Sequence, residues 1–195
     1  MDIKAEIEHS SKMCTELELL VANRAPLGLD ERGMLLVAYW NLVIDYHLSV
    51  TSLLRQGYYG RAFALVRPIV EAWLRAHLVV SASDSVVQQI REDKYRTNFQ
   101  DVASQIDQAF GLQFFGKTLN GRVRKALHSH THSGGLQVCR RFDGANIKPS
   151  YNEAEQIEVV RLATLTLAMV TVLLTKKQGF DAEWSRANQA VADCL

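Results

Sequence analysis

Three histidines alternate in the stretch RVRKALHSHTHSGG, residues 122–135: His128, His130 and His132. At 100° per residue in a helix, His128 and His132 share a face with Arg124, each four residues from the next. His130 lies on the opposite face with Leu119, Val123, Ala126 and Leu127. His128 and His132 are therefore the candidates for chemistry, and His130 is the candidate for packing. Nearby cations lower a histidine's pKa and favour the neutral imidazole, which suits a general base beside a phosphate. An i,i+4 histidine pair can also bind a metal, with Glu71 as a further ligand, but no HExxH pattern is present. The simplest alternative is a helix C-terminus, where the dipole and the free carbonyls favour histidine. The expected site holds no metal.

A second constellation is RQGYYGRAFALVRPIVEAWLRAH, residues 55–77. Leu65, Val66, Ile69, Trp73, Ala76 and Val80 form an apolar helical face. Arg67, Glu71 and Arg75 run down another face at i, i+4 and i+8, with Arg61 at its edge. As an exposed row these would be local ion pairs worth about 0.3–0.5 kcal/mol each. Apolar flanks on both sides instead predict a partly buried row, and buried charges need partners. The expectation is a cleft lined by Arg67, Glu71 and His132.

Charge is uneven along the chain. The net charge is +1, yet residues 1–31 carry −4 and residues 111–150 carry +6. The basic block holds Lys117, Arg122, Arg124, Lys125, Arg140, Arg141 and Lys148 against Asp143. Such a local field attracts phosphates even on a neutral protein. Arg140 and Arg141 come soon after Gly134 and Gly135, where a turn can aim backbone N–H groups at an anion. The bland alternative is a solvated basic helix matching the acidic first helix.

Helices must position these groups. Periodicity predicts helices over 2–24, over 30–54 with Asp30 as cap, and over 59–80 with a kink or a start at Pro68. Further helices are predicted over 84–110 and 117–131. A sixth, capped by Ser150 or Asn152, runs to 178, where Gly179 closes it, and a short last helix starts at Asp181. Residues 133–150 are the irregular stretch, with 136–142 extended or a short strand. The predicted fold is all-α: one domain over 1–195, an up-and-down bundle of about six to seven helices. Leu42, Leu65, Ile69, Trp73, Leu127, Leu165, Leu167 and Met169 are its expected core.

The chain has 195 residues, 48% of them hydrophobic and 22% charged, with 3 Pro and 11 Gly, which excludes collagen-like and low-complexity classes. Cys14, Cys139 and Cys194 lie far apart with no CxxC, so neither a metal ribbon nor a disulfide framework is expected. The start, MDIKAEIEHSSKMC, has no apolar core of a signal peptide, and a cytoplasmic protein is expected. Two apolar stretches, 34–54 and 162–175, read as buried core helices, because a span needs about 20 predominantly apolar residues. No membrane partner is expected. Neither a GxGxxG after a strand nor a Walker A loop is present, so no cofactor is expected.

The motifs YYGRAFALVRPIVEAW, HSHTHSGG and RRF, in that order, resemble an uncharacterised family of bacterial all-helical proteins. Those proteins carry an R-rich, E-containing helix and an SxTHxGG-type motif, and the likeness covers residues 30–178. The chain is more loosely similar to the HEPN superfamily (higher eukaryote and prokaryote nucleotide-binding), which includes abortive-infection and toxin ribonucleases. That similarity implies RNA cleavage without a metal, by an Arg and a His a short spacer apart, in a homodimer. Arg122 and His128 have that form, with five residues between them, as do Arg124 and His130. The first pair fits better, since His130 faces inward. Val123 stands where a polar residue often follows the Arg.

Two functions follow. One is a non-catalytic module binding RNA or a nucleotide at a basic His/Arg groove. The other is a HEPN-like ribonuclease of a defence or toxin–antitoxin system. In the latter His128 or His132 is the base, beside Glu71, while Arg122, Arg124, Arg140 and Arg141 hold the phosphate. Arg67 and Arg75 complete the expected ligand-binding set.

Overall fold

The structure is a computed structural model, and it describes residues 2–22, 29–111, 113, 115–118, 138–143, 145–147 and 149–194. Among these residues it is an all-helical bundle, as expected, with one short hairpin.

Helix α1 (Ile3–Ala22) starts where the Asp2 carboxylate accepts the Ala5 amide, and it buries Ile7, Met13, Cys14, Leu17 and Leu20. Helix α2 (Glu31–Arg55) is capped by Asp30, which accepts the Gly33 amide and pairs with Lys177. It ends at Gly57, whose φ of 76° lets the amides of Gly57 and Tyr58 return to the carbonyls of Leu54 and Leu53.

The predicted helix over 59–80 is two helices, α3 (Tyr59–Ala64) and α4 (Val66–Ser81). Pro68 explains the break, because it has no N–H and its ring would clash with the Ala64 carbonyl. The predicted helix over 84–110 also divides, into α5 (Asp84–Arg91) and α6 (Phe99–Phe110). Asp93 takes a left-handed φ of 52° between them, and Asn98 caps α6 through the amides of Gln100 and Asp101. Helix α7 is Phe115–Thr118, and strands β1 (Phe142–Asp143) and β2 (Asn146–Ile147) pair antiparallel. Val138 and Cys139 are helical, so among the described residues of the expected 136–142 extended stretch only Phe142 is in a strand.

Helix α8 (Glu153–Gln178) begins in a capping box between Asn152 and Glu155 and ends at Gly179, with φ 70°. Helix α9 (Asp181–Cys194) closes the bundle. Helix α8 packs on α1, α2, α4 and α9. Ile3, Glu6 and Ser10 meet Glu153, Arg161 and Thr164 in that order, so α1 and α8 run parallel. Trp40 and His47 meet Thr171 and Thr164, so α2 is antiparallel to α8. Arg32 reaches the Val79 carbonyl from one end of α2, and α2 is antiparallel to α4 as well. Helices α4 and α8 therefore point the same way, and between them in the chain α6 packs on α4.

By length and composition α8 is the one described helix that could cross a membrane. Here it is the centre of the core, and Thr164, Thr171 and Thr175 satisfy their buried hydroxyls on carbonyls one turn back. The larger core cluster centres on Leu17, Leu36, Trp40, Leu74 and Leu167. A smaller one, with Val50, Phe63, Ile69, Tyr151 and Val160, fills the end where α8 begins. Of the expected core, Ile69, Trp73 and Leu167 are buried, while Leu42, Leu65, Leu165 and Met169 are half-buried. Leu127 lies outside the described residues.

Candidate functional site

The end of the bundle where α8 begins collects two of the expected arginines. Arg140 and Arg141 precede the hairpin, and the Ser150 amide bonds the Arg140 carbonyl at 2.8 Å, extending the ladder. This pairing delivers Tyr151 and the Asn152 cap to the same place.

Arg140 is neutralised. Its guanidinium makes a two-pronged bond to the Glu155 carboxylate, which also accepts the Asn152 amide. Glu155, together with its own field on Arg140, holds that guanidinium firmly protonated. Arg140 also lies 5.3 Å over the Tyr151 ring, a cation–π contact.

Among the described residues Arg141 has no carboxylate partner. Its guanidinium lies against Gly60 of α3, so close that a Cβ there would stand 3.1 Å from Nη2. The same Cβ would stand 3.2 Å from the Tyr151 hydroxyl. Glycine is what lets both groups approach the α3 backbone. Tyr151 is 7% exposed, packed on Phe63 at 4.6 Å and on Tyr59 at 6.1 Å between ring centroids. Its buried hydroxyl has no hydrogen-bond partner. Burial pushes the phenol above its ordinary pKa, against the fields of Arg141 and Arg140, so it keeps its proton at neutral pH. Two donors, the Arg141 guanidinium and the Tyr151 hydroxyl, thus converge beside Gly60. An oxyanion is the group that would accept from both.

The α4 row is only partly a unit. Arg67 Nε donates to Glu71 Oε1 at 2.8 Å. The side chains of Arg67 and Glu71 keep 28% and 37% of their exposure, so the pair is half-buried. The reason is the break at Leu65, which starts α4 afresh and leaves residues 64–68 of the flank half-exposed. Arg75, expected beside Glu71, makes no ion pair with it among the described residues; its charge instead acts on the Tyr39 hydroxyl, opposing the burial that pushes that phenol up. Arg122, Arg124, His128 and His132 lie outside the described residues, and so does the expected contact of His132 with Glu71.

Two of the three cysteines are poorly placed as nucleophiles. Burial pushes the Cys14 thiol up to about 12 and the Cys194 thiol up to about 11, so neither forms a thiolate near neutrality. Among the described residues no three His, Cys, Asp or Glu side chains group as a metal would need.

Gly60, Tyr151 and Glu155 were not singled out as site residues from sequence. Tyr151 did carry a signal, since an apolar residue just before a helix cap commonly folds back onto the helix. Its carbonyl is held there by Gln156 Nε2 at 3.0 Å.

Fold and site together define an all-helical bundle with a cationic, aromatic-lined patch at one end. The chain belongs to a family of unknown function (DUF6988), whose model matches residues 40–195. No significant match was found among curated proteins or solved structures.

Proposed function

We propose that this protein is a helical module that binds a phosphate-bearing ligand, RNA or a nucleotide, on its basic face. One observation carries the reading: Arg141, without a carboxylate, and the unpartnered Tyr151 hydroxyl meet beside Gly60. A phosphate oxygen accepts from both and supplies the charge they lack. The net +6 of residues 111–150 supports the same reading, since a block of positive charge attracts polyanions.

A second reading, a HEPN-like ribonuclease acting as a homodimer without a metal, rests on the Arg122–His128 spacing. In it His128 or His132 is the base that activates a ribose 2′-hydroxyl.

The test is incubation of the whole protein with labelled single-stranded RNA in EDTA at several salt concentrations. Salt-sensitive binding without cleavage is the expected outcome, and Arg141→Ala should weaken it and flatten its salt slope. Cleavage that survives EDTA and disappears in His128→Ala/His132→Ala selects the ribonuclease. Absence of binding at low salt to RNA and nucleotides alike refutes both.

A further inference from the structure

The Arg141 guanidinium and the Tyr151 hydroxyl close over Gly60 together, but they differ in access. Gly60 is buried, and the Tyr151 hydroxyl lies below the surface, its ring held on Phe63 and Tyr59. Arg141 is exposed. A Cβ on Gly60 would meet Arg141 Nη2 at 3.1 Å, the hydroxyl at 3.2 Å and Arg141 Cζ at 3.6 Å as its nearest neighbours. The two side chains therefore form the walls of one narrow recess over the glycine. The hydroxyl is the fixed wall and the guanidinium the movable one. Arg140 shows the contrast, since Glu155 grips its guanidinium at both ends and the Tyr151 ring lies beneath it. Arg141 is anchored through its amide, on the Val138 carbonyl at 2.9 Å, and among the described residues no carboxylate holds its side chain.

We infer that this recess takes a terminal phosphate, the end of an RNA strand or the phosphate of a mononucleotide, in preference to a phosphodiester within a strand. This inference rests on the proposed phosphate site and narrows the class of ligand it takes. To reach the hydroxyl, one oxygen must pass the Arg141 guanidinium and descend beside Gly60, while another stays at the guanidinium. A diester has two free oxygens and a chain leaving on either side, and both chains would have to follow it below the surface. A terminal phosphate has three free oxygens and one chain. It also carries a charge of about −1.5 to −2 at neutral pH, which suits a guanidinium with no carboxylate. The Tyr151 phenol keeps its proton and so remains a donor.

The experiment measures binding of the whole protein to one short single-stranded RNA in two forms, with a 5′-phosphate and with that phosphate blocked as its methyl ester. The free 5′-phosphate should bind about tenfold or more tighter, the scale of one hydrogen bond to a charged group. Adenosine 5′-monophosphate and its methyl ester should differ in the same direction. Arg141→Ala should weaken both forms. Tyr151→Phe removes the buried donor, and Gly60→Ala puts a methyl group into the recess while keeping both donors and a good helix former. Each should cut the preference several-fold, with thermal unfolding confirming that the variants are folded. Arg61→Ala removes a charge of α3 that lies over the Tyr58 ring instead, and it should keep the preference. Equal binding of free and blocked phosphates, or a preference left intact by both Tyr151→Phe and Gly60→Ala, overturns the terminal-phosphate recess. In that case weaker binding of both forms by Arg141→Ala leaves the phosphate site standing. No binding of any of these ligands at low salt overturns both.

Discussion

Among the described residues, His47 Nδ1 in the centre of the bundle and the Tyr151 hydroxyl at its end are both buried without a hydrogen-bond partner, in two very different settings. The histidine belongs to a closed seam. The Thr164 hydroxyl donates to the Val160 carbonyl at 2.9 Å, so the Ser10 hydroxyl must donate to Thr164 at 2.6 Å. His47 Nε2–H then donates to Ser10 at 2.6 Å, which leaves the bare lone pair on Nδ1. Every proton is accounted for, three helices are tied together, and His47 is fully buried. At Tyr151 the unpartnered atom is a donor, it lies next to an uncompensated charge, and the guanidinium beside it is exposed. An unpaired buried atom therefore does not by itself mark a site. What separates the two regions is excess of donors, net charge and access.

The largest expected effect belongs to the seam. His47→Ala removes the α2 member, leaves a cavity and deprives Ser10 of its donor, and it should cost roughly 3 kcal/mol in urea denaturation. Acid should act on the same residue. Burial, helped by Arg55, holds the imidazole down to about 4 from 6.5. Between those values the unfolded chain binds the proton and the folded chain does not. The contribution is therefore complete above about pH 6.5 and is lost as pH falls toward 4, up to roughly 3 kcal/mol. His77, whose pKa burial also lowers against the Trp73 carbonyl, adds in the same direction. His47→Gln should flatten the pH dependence of stability over this window. If it retains the unmodified protein's slope, the seam is not what titrates.

The two regions were unequally legible in the sequence. Helices α2 and α8 could be bounded closely because Asp30, Asn152, Glu155 and Gly179 are local signals whose hydrogen bonds span four residues or fewer. The break at residues 92–98 had no such marker, since Asp93 takes a left-handed φ with no Gly or Pro beside it. At the site, charge alone marked Arg140 and Arg141. Spacing grouped Arg75 with Glu71, but a side chain on a helix has more than one neighbour in reach, and the charge of Arg75 bears on Tyr39 of α2. Gly60 and Tyr151 gain their meaning only from a tertiary approach between distant parts of the chain, which no spacing encodes. His47 carries no local signal of its role, which depends on Ser10 and Thr164 from two other helices.

A middle case tests whether charge without burial matters. Arg67 and Glu71 are an i,i+4 pair on a half-exposed face. Full burial would have made Glu71→Ala cost 2–4 kcal/mol through a stranded arginine. At the observed exposure the loss should be about 0.5–1 kcal/mol and should shrink with salt. A loss well above that in chemical denaturation would mean that this row behaves like the interior seam.

The smallest expected stability effect separates the two regions most sharply. Tyr151→Phe deletes a hydroxyl that bonds nothing and keeps the ring on Phe63 and Tyr59. A buried donor without a partner is a cost to the folded state, so its removal should leave stability within about 0.5 kcal/mol or raise it. The same variant removes one of the two donors offered to an oxyanion, so phosphate or nucleotide affinity should fall several-fold at unchanged fold. Removing a polar group from the His47 seam should do the reverse, lowering stability while sparing binding in the fraction that remains folded. If Tyr151→Phe instead destabilises the protein by more than about 1 kcal/mol without changing binding, the hydroxyl is a structural group like Ser10, and the end of the bundle is a second seam rather than a site.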